Sequence, residues 1–188
     1  MLQLKKISAD SIPEALEKAE RYRFLNEPRL AESICQDILD VDAHNHKAIV
    51  VMLLAITDQF DTSSGGDMGH AKELLQMLTN EYDQQYYSGI ICERQGKAIL
   101  GKNIPGSSFI AYEWFCDAME HYEKAEAVRS AGNDDAILRW NTCARLIMRH
   151  HLQSRDEKTC RASPGIIRCI NFYKSKTGKV LIPFHNSY

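Results

Sequence analysis

Residues 48–56 read Ala-Ile-Val-Val-Met-Leu-Leu-Ala-Ile, nine apolar residues without a break. A bilayer-spanning helix needs about 20 such residues, so this run is too short to cross a membrane. Read as the centre of a helix over about residues 45–60, it is apolar nearly all round and needs cover on several sides. Its β-branched residues also allow a strand. Its length, and the lack of a second candidate strand before residue 165, favour a helix. A helix of this kind belongs in the middle of a stack of helices.

The flanking residues supply the rest of such a stack. Ser11-Ile12-Pro13-Glu14 has capping-box spacing, with Pro13 in the first turn, and opens a helix with Ile12, Ala15, Leu16, Ala19 and Tyr22 on one stripe. Asn26-Glu27-Pro28 breaks it, and Leu30, Ala31, Ile34, Ile38 and Leu39 form the next stripe. So short a loop sets the two helices antiparallel. After the 45–60 helix, residues 61–66 form a polar, Gly-ended loop, and Asp67 caps a fourth helix with Met68, Ala71, Leu74, Leu75 and Leu78 inward. A fifth helix is expected over about 83–100, with Tyr86, Tyr87, Ile90, Ile91, Ala98 and Ile99 inward. A sixth over about 108–129 carries Trp114, Phe115, Ala118, Tyr122 and Ala125. Gly132 stops that helix, and Asn133-Asp134-Asp135 starts a seventh with Trp140, Cys143, Ala144 and Ile147 inward. His150-His151 is expected to be its fraying end.

Residues 153–188 differ in character. Residues 1–152 carry 16 Lys/Arg against 23 Asp/Glu, a net −7, whereas residues 153–188 carry 7 against 2, a net +5. Residues 165–173 and 179–182 look strand-like around a Lys/Ser/Gly turn. A lone hairpin is marginal in water, so this tail either packs on the helices as a hairpin, stays disordered, or is an extension foreign to the domain. The domain division expected is therefore 11–152 helical and 153–188 a basic tail.

The spacing of small and aromatic residues resembles the tetratricopeptide repeat (TPR) family, a helix–turn–helix unit of about 34 residues. In the first unit Ala19 and Tyr22 fit the first helix, Ala31 fits the second, and Asp42-Ala43 stands where Asp-Pro is usual. Ile38 replaces the second small residue. The pattern recurs around Ala118, Tyr122 and Ala125, and in the stretch from Trp140 to Ile147. The resemblance covers roughly residues 11–152. It implies an all-α fold, an α-α superhelix built as a right-handed solenoid of about seven antiparallel helices. An unrelated helical bundle is the alternative.

A solenoid of this kind offers a concave groove to a peptide or helix of a partner. The family places the first helix of each pair along that groove. The resemblance thus implies Glu20 and Arg23 in the first layer, Lys47, Val50 and Leu54 in the second, and Asn141, Arg145 and Arg149 in the last. Two guanidiniums one turn apart beside an amide suit a carboxylate. The competing reading is a solvated helix face. The Lys/Asn/Arg clamp with which some family members hold a chaperone's terminal carboxylate is not matched, because Leu16, Glu20, Val50 and Val51 stand at the equivalent positions.

Enzymatic chemistry finds little footing. The seven histidines are scattered, and no C-x-x-C pair occurs among the six cysteines, so neither a metal nor a cofactor is expected. Cys35, Cys92, Cys116 and Cys143 fall in helical patterns and read as buried thiols in a reducing compartment. Cys92-Glu93-Arg94 invites an activated thiol, against the plainer reading of a buried Cys flanked by surface charges. No phosphate-cradling glycine loop is present. An apolar content of 44% with 26% charged residues fits a soluble globular protein, and Met1-Leu2-Gln3-Leu4-Lys5-Lys6 leads into no apolar signal core, so a cytoplasmic location is expected.

The function expected is a non-catalytic protein-interaction scaffold. Its partner is a protein or peptide, a second copy of the chain included. One alternative is a helical adaptor with an aromatic-lined pocket for a small ligand. Another is a helical-repeat RNA binder using Tyr86, Tyr87 and Tyr112, which the acidic body of the chain opposes.

Overall fold

Among the described residues, the stretches with helical periodicity become seven α-helices: α1 (Ile12–Phe24), α2 (Pro28–Leu39), α3 (His46–Thr57), α4 (Met68–Gln76), α5 (Glu81–Gly101), α6 (Ser107–Val128) and α7 (Asp135–Arg149). A single 3-10 turn, Ala9–Ser11, precedes α1. The structure, a computed structural model, describes residues 2–62 and 66–155. No strand occurs among the described residues, and the helices all lie in one unit, Met1–Gln153. The strand-like segments expected at 165–173 and 179–182 lie outside the described residues.

Local chemistry explains most helix boundaries. The side chain of Asn45 accepts a hydrogen bond from the Ala48 amide at 3.0 Å and so caps α3. Asp67 does the same for α4 through the Gly69 and His70 amides, and Asn80 caps α5 through that of Asp83. Ser11 behaves otherwise. It is already in the 3-10 turn, and its hydroxyl donates backwards to the Ser8 carbonyl at 2.7 Å, so the expected capping box does not form. The turn begins too early for the serine to reach forward.

Two helices end in the left-handed closure that satisfies their last carbonyls. At the end of α1, Asn26 has φ 59° and the Glu27 amide reaches back to the Tyr22 carbonyl. At the end of α7, His151 has φ 50° and the Leu152 amide reaches the Ile147 carbonyl at 3.0 Å. The latter corrects the expectation of a fraying end. Leu152 is buried after the closure and fastens the terminus to the core. The end of α6 differs slightly from expectation too: the helix stops at Val128, and Gly132, with φ 83°, shapes the turn beyond it.

Helices adjacent in sequence pack on one another throughout, and α1–α3 and α3–α5 contacts join the odd-numbered helices. The apolar run in α3 is covered as its composition demands, with Ile49, Val51, Met52, Leu53, Ala55 and Ile56 all buried. Two apolar clusters result. The first joins Ala19, Ala31, Cys35, most of α3, Ala71, Leu74 and Leu78 to Ile91 and Ala98 of α5. The second joins Ile90 of α5 to Phe115, Ala118 and Tyr122 of α6, Ala136 and Cys143 of α7, and Leu152. α5 is therefore buried on two sides, which is why its apolar residues do not form a single stripe.

Candidate functional site

The polar centre of the molecule is built on α5. Gly89, Glu93 and Gly96 recur at the three-to-four-residue spacing that puts side chains on one helix face. That face lies against α6. A Cβ added at Gly89 would lie 2.4 Å from the Tyr122 ring, and one added at Gly96 would lie 3.0 Å from that of Phe115. The two glycines let α5 and α6 approach closely, and the approach carries the Tyr122 hydroxyl to the carboxylate of Glu93.

Glu93 is wholly buried, at 0% exposure. A buried carboxylate persists only with counter-charges and hydrogen bonds. Here Tyr122 donates to Oε2 at 2.7 Å, while Lys97, one turn on, and Arg139 of α7, at 3.3 Å, donate to Oε1. Burial, the Glu93 charge and the hydrogen bond together push the Tyr122 phenol well above its ordinary pKa, so it remains a donor. Burial works against the charge of Arg139, but Glu93 and a hydrogen bond to Tyr86 more than offset it.

The next residue, Arg94, points to α3. Its guanidinium pairs with Asp58 at 2.8 Å, donates to the Leu54 carbonyl at 2.7 Å, and also reaches the Thr57 hydroxyl. The other oxygen of Asp58 accepts from Nε of Arg23 on α1 at 2.9 Å. Arg94 is pushed below its ordinary pKa chiefly by burial, with the like charges of Arg23 and Arg139 adding and Asp58 and Glu93 opposing. Guanidinium groups from α1, α5 and α7 thus feel one another. The outcome is two bonded groups, Arg23–Asp58–Arg94 and Glu93–Lys97–Arg139, joined through the chain neighbours Glu93 and Arg94 and together called the ionic strip.

The residues inferred from the family pattern distribute unevenly around this strip. Arg23 is part of it, and Leu54 contributes its backbone carbonyl while its side chain packs on the second cluster. Glu20 is exposed on α1 one turn before Arg23, Lys47 is exposed near the start of α3, and Val50 packs on the first cluster. Asn141 is half-buried, and Arg145 and Arg149 are exposed. At ~100° per residue, Arg145 and Arg149 lie roughly a quarter to a third of a turn round α7 from Arg139. They share their face with the exposed Leu138.

The tyrosines spend much of their ring surface on one another. Tyr82 stacks on Tyr86 at 5.6 Å, and Tyr86 meets Tyr87 edge-on and tilts against Tyr122. Tyr82 also donates to Asn133, and Trp140 to Glu123. Among the described residues no group of three or more His, Cys, Asp and Glu side chains is placed to hold a metal ion, and no helix is long and apolar enough to cross a membrane.

The thiol beside the site is not activated. Burial pushes Cys92 up to about 11 and Cys35 up to about 12, and raises Cys143 as well. Its neighbours Glu93 and Arg94 are held in the ionic strip, which corrects the reading of them as surface charges. Since the thiolate is the nucleophile, a thiol pushed up in this way is poorly reactive at pH 8. Iodoacetamide treatment of the native protein at that pH, followed by peptide mapping, is expected to leave Cys35, Cys92 and Cys143 unmodified. The unfolded chain is expected to be alkylated at all three. Rapid alkylation of native Cys92 would reinstate an activated thiol.

Glu93, Arg94, Lys97 and Arg139 were not singled out from the sequence as binding residues. The available signal was the glycine pair seven apart on α5 with a carboxylate between. No protein-family model, characterised protein sequence or solved structure matches this chain.

Proposed function

We propose that this protein is a non-catalytic interaction scaffold, a TPR-like right-handed superhelix acting in the cytoplasm, that binds a peptide or helix of a partner protein along its odd-numbered helices. Three features support a stack over a closed bundle. Contacts run between chain neighbours and along α1–α3–α5, and Ala19, Ala31 and Ala118 are fully buried where helices meet. Arg139 extends the odd row to α7 by bonding Glu93. The observation that carries the reading is the ionic strip, which lines up side chains from α1, the end of α3, α5 and α7. Around it Glu20, Lys47, Val50, Leu54, Asn141, Arg145 and Arg149 form the proposed walls of the groove, with Arg23 on its floor.

A photo-cross-linking experiment tests this. Dodecapeptides selected from a random display library, then resynthesised with a benzophenone side chain, are expected to cross-link to α1, α3, α5 and α7. Cross-links confined to α2, α4 and α6, or a selection that enriches no peptide, would refute the groove.

A further inference from the structure

Resting on that reading, we propose that the captured segment is acidic, and that its carboxylates seat at the α5–α7 end of the strip on Lys97 and Arg139. The strip holds four cations, Arg23, Arg94, Lys97 and Arg139, against two carboxylates, Asp58 and Glu93. That is an excess of two positive charges among these six side chains, inside a region, residues 1–152, that is net −7 with them included. At the α5–α7 end Lys97 and Arg139 share the carboxylate of Glu93, so a partner carboxylate seated there would bring that end to neutrality.

The ends of the strip are not equivalent. At the α1 end, Arg23 already shares its surroundings with Glu20 and Glu32, all three acting on the Cys35 thiol. At the other end, Glu93 is the carboxylate that raises Arg139, and Arg94 and Arg139 act on one another as like charges. Glu93 is a single negative charge serving both Lys97 and Arg139, and its Oε2 is taken by Tyr122. Lys97 and Arg139 keep 42% and 37% of their side-chain surface exposed although each bonds a carboxylate that is itself wholly buried. They are held in place by a buried anion and yet reachable from outside. A guanidinium prepositioned in this way matches a carboxylate geometrically, and the neighbouring ammonium adds charge.

A peptide suits the strip better than a nucleic acid. Charge beyond about 8 Å is largely screened at physiological ionic strength, so a short acidic segment on the strip senses mainly the local excess. A polyphosphate chain running past the strip would instead lie along an acidic surface.

Fluorescence anisotropy on the full chain tests the inference with three labelled probes: a dodecapeptide containing two Glu pairs, the same peptide with Gln at those four positions, and a 12-nucleotide single-stranded RNA. The Glu peptide is expected to bind at least tenfold more tightly than the Gln peptide, with the gap narrowing at 0.5 M NaCl. Lys97→Gln is expected to weaken the Glu peptide about fivefold while leaving Arg139 to neutralise Glu93, so the fold is retained. Arg139→Gln serves as the second variant, with Lys97 as the remaining partner, and Lys124→Gln on α6 is expected to change nothing beyond twofold. Equal binding of the Glu and Gln peptides overturns the acidic partner, and leaves the groove standing if cross-links still map to the odd helices. Binding of neither peptide overturns the proposal, as does RNA binding as tight as that of the Glu peptide.

Discussion

Replacing Glu93 by Ala is expected to destabilise the protein by about 3 kcal/mol, read as a lower midpoint in urea unfolding at unchanged slope. From its position on α5 the carboxylate is bonded to α6 through Tyr122 and to α7 through Arg139. Its removal leaves the Tyr122 hydroxyl, in a residue only 1% exposed, without its acceptor. A buried polar group stripped of its partner costs about 1–3 kcal/mol. Deleting the methylene stem opens a void as well. Lys97 and Arg139 moderate the loss, because both have enough exposed surface to turn their heads into water. A fully enclosed pair would have cost more. Tyr122→Phe removes the same hydrogen bond from the other side and is expected to cost about 1.5 kcal/mol. The double variant Glu93→Ala/Tyr122→Phe should fall short of the sum by about 1 kcal/mol or more, since the orphaned hydroxyl is gone. A loss below about 1 kcal/mol for Glu93→Ala would mean that the carboxylate does not tie the three helices together.

That network marks where sequence reasoning reached and where it stopped. The seven helices follow from apolar residues at helical spacing, because a stripe such as Leu30, Ala31, Ile34, Ile38 and Leu39 is a local property of the chain. Caps at Asn45 and Asp67 are local too, being set by atoms three residues apart or fewer. Ser11 misleads because the conformation just upstream decides whether its hydroxyl faces forward or back. Glu93 lies beyond local reading altogether. With Lys97 four residues on, it has the look of an ordinary solvated helix pair. Its burial comes from Tyr122, 29 residues away, and Arg139, 46 residues away. The same holds for Arg23. Its partner Asp58 is 35 residues distant, at the end of another helix. Arg145 and Arg149 illustrate the converse: a quarter to a third of a turn round α7 from Arg139, they can flank the strip but do not enter it.

The helix approach that creates the network depends on an absent methyl group. Gly89→Ala is expected to destabilise the protein by about 2 kcal/mol, against the usual preference of helices for alanine. In an open helical site the change would stabilise by up to about 1 kcal/mol, because alanine surrenders less backbone entropy. At Gly89 the added carbon would sit 2.4 Å from Cε1 and 2.7 Å from Cδ1 of Tyr122. The ring has no easy retreat, being packed in the second cluster and bonded through its hydroxyl to Glu93. Overpacking of this kind costs about 1–3 kcal/mol, and any rotation of the ring also loosens the hydrogen bond. Gly101 provides the control on the same helix: it is exposed, its backbone is helical, and nothing lies within 4 Å of an added Cβ. Gly101→Ala should therefore leave stability unchanged or raise it slightly. Opposite signs for one substitution at two positions of α5, measured by urea unfolding, separate close packing from helix propensity. Equal and favourable effects would mean that α5 and α6 do not meet at Gly89, and the approach of Tyr122 to Glu93 would lose its structural basis.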